Sequence, residues 1–138
     1  MGAIEAQRER TLRGSGVPEV RLRLAALWVA LMLTHLLGDV LRLYSGDVTP
    51  GEIGGQQLGQ SGWLGIAVVM LIPIVMVLLS VTLTGQALRW ASVIAAVGLF
   101  AFNVIGLPGY PGLYDKFLIL VGLVFYAITA RYAWRWYP

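Results

Sequence analysis

A chain of 138 residues that is 58% hydrophobic and only 12% charged, with a mean hydropathy of +0.76, lacks the composition of a water-soluble domain, roughly a quarter of which is charged. The absence of cysteine excludes disulfides, thiolate metal sites, iron–sulfur clusters and a cysteine nucleophile, and a single histidine excludes a multi-histidine metal centre within one chain. The net charge of +3 comes from arginines gathered at a few places; with no interleaved basic and aromatic face and no phosphate-cradling loop, it reads as a topology signal and not as a nucleic-acid surface.

Residues 1–20 are polar and broken by Gly14-Ser15-Gly16, so they read as a cytoplasmic tail, disordered or resting on lipid headgroups, with Arg8, Arg10 and Arg13 towards anionic lipid. No short apolar core with a small-residue cleavage site follows, so the first apolar run is a retained span and not a secretory signal. Pro18 and Glu19 suit a helix start. Span 1 is expected over about 22–43, with Arg21 and Arg23 at its start, Trp28 a turn inside the interface, and His35, Asp39 and Arg42 within it. Spacings of four and three place these last three on one helical face.

The longest loop, 44–62, contains Thr49-Pro50-Gly51-Glu52, a capping-box pattern that predicts a short surface helix through about Leu58. The loop serves as a solvated connector or, on a sharper reading, as a lid over the outer end. Span 2 is expected over about 63–83. Pro73 lies inside it, unable to bond the carbonyl of Val69, and predicts a bend with that carbonyl freed. After the Thr84-Gly85-Gln86 turn comes span 3, about 87–107, where Ala87, Ala91 and Ala95 form a small-residue stripe. Such a stripe packs a helix within its own bundle or against a second copy. The Leu107-Pro108-Gly109-Tyr110-Pro111-Gly112 turn leads to span 4, about 113–135, which ends in an interfacial anchor of Arg131, Trp134, Arg135, Trp136 and Tyr137.

The fold class that follows is all-α: an integral membrane four-helix bundle, up-down-up-down, forming one domain over 21–137. Eight of the ten basic residues precede span 1, join spans 2 and 3, or end span 4; only Arg42 and Lys116 fall on the other side. The positive-inside rule then predicts an inner-membrane protein with both termini cytoplasmic.

At ~1.5 Å per residue through ~30 Å of hydrocarbon, His35 lies ~16 Å in, near the midplane, and Asp39 ~7 Å below the outer surface. Asn103 on span 3 reaches the level of Asp39. The Val69 carbonyl, ~9 Å down, falls between Asp39 and His35, and Pro73 lies at ~15 Å. Asp115 at the start of span 4 lies near Arg42, with Tyr110, Tyr114 and Lys116 around it. The expectation is an outward-open polar cavity with Arg42 at its mouth, Asp39 and Asn103 midway and His35 at its floor, rimmed by Tyr110, Tyr114 and Lys116. Each residue also has a plainer reading: an Asp39–Arg42 surface ion pair, a structural histidine, an interhelical amide, and for Asp115 a helix-dipole charge. An ionisable group inside a span is nonetheless a functional-site hypothesis by default.

Leu27-Trp28 with Gly38-Asp39-Val40, the stretch Ile72-Pro73-Ile74-Val75-Met76-Val77-Leu78-Leu79-Ser80, Arg89-Trp90-Ala91, and Tyr132-Ala133-Trp134-Arg135-Trp136 together resemble a family of small, uncharacterised bacterial four-helix membrane proteins over about residues 20–136. The resemblance implies a four-span fold and a meaningful Asp39 and Pro73, but no activity. By architecture alone the chain is also similar to DoxX-type four-helix proteins.

Three functions compete. In the first, the cavity binds or passes a small ligand, ion or proton, with His35 and Asp39 as its exchanging groups. In the second, the chain is a structural or accessory subunit, or a homo-oligomer packed through Ala87, Ala91 and Ala95. In the third, a quinone or haem sits in the bundle, with His35 as ligand or base. No cofactor is expected, because no nucleophile string or ligand pair accompanies the histidine. The bilayer is the one partner that the composition itself names.

Overall fold

A computed structural model of the chain describes residues 2–14 and 18–136. Ser15 and Gly16 of the expected tail break, and Tyr137 of the terminal anchor, lie outside the described residues. Four long helices dominate: α2 (Glu19–Ser45), α3 (Gln60–Thr82), α4 (Gly85–Gly106) and α5 (Leu113–Arg135), with a helix α1 (Gly2–Gly14) before them. A 3₁₀ turn, Leu107–Gly109, extends α4, and all four long helices are long and apolar enough to cross a membrane. Within the tail, residues 2–14 are helical.

Pro18 has an extended backbone and lies just ahead of α2, where its carbonyl accepts from the backbone N–H groups of Arg21 and Leu22. At the other end Gly46 adopts a left-handed conformation (φ 74°), a helix stop that most residues resist. Only Leu83 and Thr84 separate α3 from α4, so the chain must reverse there.

Contacts across the bundle show the arrangement. The Arg21 guanidinium donates to the Ser80 and Val81 carbonyls, capping the end of α3 with the start of α2. Arg23 donates to the Tyr132 hydroxyl at the end of α5, and Arg42, near the end of α2, pairs with Asp115 at the start of α5. Consecutive long helices thus run antiparallel. Helix α2 packs on α3 and α5, and α4 packs on α5.

The expected surface helix through Leu58 does not form. Glu52–Ile53 (β1) pairs antiparallel with Gln56–Gln57 (β2) across Gly54-Gly55. Both glycines have positive φ, 61° and 77°, the requirement of a tight hairpin turn whose twist matches its strands. Two adjacent glycines leave the capping box no helix to start.

The core has two layers. Leu24, Leu88 and Ala133 close the arginine-rich end, while Trp28, Leu31, Met76, Ala96, Leu99 and Tyr126 fill the middle. Trp28, expected near the interface, is wholly enclosed, its ring edge-on to Tyr126 with centroids 6.3 Å apart. Buried Ser80 and Thr129 bond back to their own helices, at the Met76 and Phe125 carbonyls. Ala91 and Ala95 pack against the core of the same chain, and only Ala87 of that stripe is exposed. At the arginine-rich end Arg89 lies over Trp134 (5.1 Å to the ring centroid), which stands perpendicular to Trp90.

Candidate functional site

Helix α2 supplies the spine of the site. His35, Asp39 and Arg42 rise along one face, and their reach into the bundle depends on how closely α5 approaches. Two buried glycines permit that approach. A methyl group on Gly38 would meet Leu118 and Asp115 of α5 at 3.7–3.8 Å, and one on Gly122 would meet the His35 ring at 3.8–3.9 Å. Each helix thus offers the other a position without a side chain.

His35 Nε2 lies 2.8 Å from the Tyr126 hydroxyl. Tyr126 is 1% exposed, so the imidazole is one of the few partners within its reach. The Asn103 amide lies against the same hydroxyl and donates to the Leu99 carbonyl one turn back on α4 at 2.8 Å.

Above them Arg42 joins three elements. Its Nε lies 2.9 Å from Asp115 Oδ1 on α5, and its Nη2 lies 3.2 Å from Asp39 Oδ1 on its own helix. The guanidinium stacks over the Tyr110 ring of the α4–α5 turn, 4.6 Å from the centroid. Asp115 is 1% exposed and its Oδ2 has no hydrogen-bond partner among the described residues. Asp39 is nearly half exposed.

These groups surround a cavity of about 40 Å³ that reaches all four long helices and the Tyr110 turn. His35, Asp39 and Arg42 line it from α2, Val69 and Pro73 from α3, Asn103 from α4 and Tyr126 from α5. Pro73 is buried there, and the N–H it lacks removes the helix bond that the Val69 carbonyl would otherwise accept. At the ~10–15 Å³ that one water needs, the space takes roughly three waters, and polar donors and acceptors are available on every side. A drug-sized molecule is far too large for it.

Of the residues singled out from the sequence, His35, Asp39, Arg42, Val69, Pro73, Asn103 and Tyr110 meet at this cavity. Asp115 stands behind it and is joined through Arg42; it is a buried ion-pair partner, not a charge at the boundary. Tyr114 turns away. Its hydroxyl donates to Asp47 Oδ2 (2.7 Å) and lies 2.7 Å from Ser45 Oγ, bracing the end of α2. The Tyr114 and Ser45 hydroxyls hold the Asp47 carboxyl below the usual aspartate range. Lys116 is exposed and touches no part of the cavity.

The sequence reading missed Tyr126 as a site residue and placed it in the inner half. On a helix, however, side chains lean towards the N-terminus, and α5 begins at the Arg42 end, so the hydroxyl is carried up to His35. Gly38 and Gly122 were also missed; each is one glycine among seventeen, and only their opposed positions give them meaning.

The chain belongs to the DUF6326 family, a family of unknown function that matches residues 18–134. No curated protein and no solved structure matches it.

Proposed function

We propose that this member of a family of unknown function is a multi-pass membrane protein that holds or passes a species of water or ion size, foremost a proton, through the cavity around His35. The observation that supports this is convergence. Polar side chains from three helices and one turn face a space large enough for a few waters, in helices apolar enough to span a membrane, where each such group costs stability.

The chemistry follows from the groups present. An imidazole gains and loses a proton within the physiological range. His35 contacts a hydroxyl on one side and stands one helical turn below a carboxylate on the other. A proton that enters at Asp39 reaches His35 through one or two intervening waters, while Tyr126 fixes the ring and Arg42 holds the acids. The positive-inside bias orients the cavity away from the cytosol, with both termini cytoplasmic and the bacterial inner membrane as the setting. The small volume favours this reading over a larger organic ligand inside the bundle.

The test is flux. The full chain, reconstituted in liposomes that contain a pH-sensitive dye, should dissipate an imposed proton gradient. His35→Ala and Asp39→Asn should each slow the dissipation at least tenfold while still inserting. Dissipation at the wild-type rate in both variants sinks the reading.

A further inference from the structure

The interior cavity shares four of its residues, His35, Asp39, Met70 and Pro73, with a second space on the outside of the bundle. Between α2 and α3 lies a groove of about 200 Å³, walled by Met32, Leu36, Met70 and Ile74, with His35 and Asp39 along its polar edge. Leu36, Met70 and Ile74 are exposed on the outer surface of the helices, so the groove opens sideways, where a membrane presents its acyl chains.

We propose that this groove binds small lipophilic organic cations, with the cationic head at Asp39 and the apolar body between the two methionines, Leu36 and Ile74. Charge is the first argument. Two carboxylates, Asp39 and Asp115, share one guanidinium, and no other ion pair reaches either of them among the described residues. By formal charge two carboxylates face one guanidinium within an apolar stretch, so a second cation would find an acceptor there. Asp115 is enclosed, so Asp39, nearly half exposed and facing the groove, is the carboxylate that an incoming cation can reach. The second argument is the wall. Methionines are flexible and polarisable and conform to varied apolar shapes. The third is size: an apolar cavity of about 150 Å³ holds a benzene, so this groove takes one aromatic ring with its head group at the rim.

The inference rests, as the proton reading does, on Asp39 being an accessible carboxylate, but it requires no transport. It is tested by equilibrium binding to the full chain in phosphatidylcholine nanodiscs, so failure of flux and failure of binding are separate results. The probe is benzyltrimethylammonium, and the neutral comparison is N,N-dimethylbenzamide, which has as many heavy atoms. The wild type should bind the cation saturably and at least tenfold more tightly than the amide. Asp39→Asn should weaken cation binding at least tenfold. Ile74→Trp, which fills the groove from its exposed lip without touching the ion-pair cluster, should do the same. Equal affinity for the two probes, no saturable binding by the wild type, or undiminished binding in Ile74→Trp overturns the proposal and leaves the groove a seat for an ordinary acyl chain.

Discussion

Arg42 satisfies two acids at once, and the two are not equivalent. Its bond to Asp115 joins a group at 1% exposure, while its bond to Asp39 joins one at 44%. A buried carboxylate deprived of its partner costs about 3–5 kcal/mol, whereas replacing a whole buried pair with apolar groups of similar size costs little. Arg42→Met is therefore expected to destabilise the protein by several kcal/mol, and the double change Arg42→Met with Asp115→Leu should recover most of the loss. Thermal unfolding in mild detergent measures both. A neutral Arg42→Met would mean that Asp115 does not depend on Arg42 for a partner, and the site would need to be redrawn. Residue by residue, the sequence announced His35, Asp39 and Arg42 because charge inside an apolar run is conspicuous. It announced Tyr126 poorly, because a tyrosine in a membrane helix is common and its hydroxyl lies far from its Cα.

At the scale of elements, the seam between α2 and α5 decides whether the site exists. Gly38 and Gly122 lie where the two helices meet, and an added Cβ at Gly122 stands in ordinary contact with the His35 ring. Gly122→Ala should therefore be accommodated. Gly122→Leu should push His35 away from Tyr126 and remove its function, with little change in helix content. The measurement is the His35 imidazole NMR signal, compared between the variants and Tyr126→Phe. An unshifted His35 in Gly122→Leu would show that the seam is looser than the contacts indicate. Pro73 lies inside α3, as its position in an apolar run led one to expect, and α3 continues through it from Gln60 to Thr82. The 44–62 loop went the other way. A short capping motif argued for a helix, but two consecutive glycines with positive φ made a hairpin, since a single favourable cap does not outweigh two poor helix formers.

For the molecule as a whole, the distribution of arginines makes a prediction that needs no knowledge of the site. The protein contains no cysteine, so single cysteines introduced at Gln57 in the hairpin and at Gln86 in the first turn of α4 can be labelled against a clean background. In intact cells an impermeant maleimide should label the Gln57→Cys chain and spare the Gln86→Cys chain. The reverse pattern would turn the cavity towards the cytosol and reverse the direction of the proposed proton path.

The class of the protein and the number of its long helices were decided by composition and by the lengths of its apolar runs. Both are local properties, since the hydrophobic cost of a stretch is read from that stretch alone. The order of the polar groups along each helix is likewise a local property, because helical rise is constant. Rotation about each helix axis was not available from the sequence. It depends on which side chains interlock across the seams, and that is settled only when Gly38 and Gly122 let α2 and α5 close on each other. Tertiary packing alone therefore directed Arg42 at Asp115, carried the Tyr126 hydroxyl to His35, turned Tyr114 outward to Asp47, and reduced the expected pocket to a space of about 40 Å³.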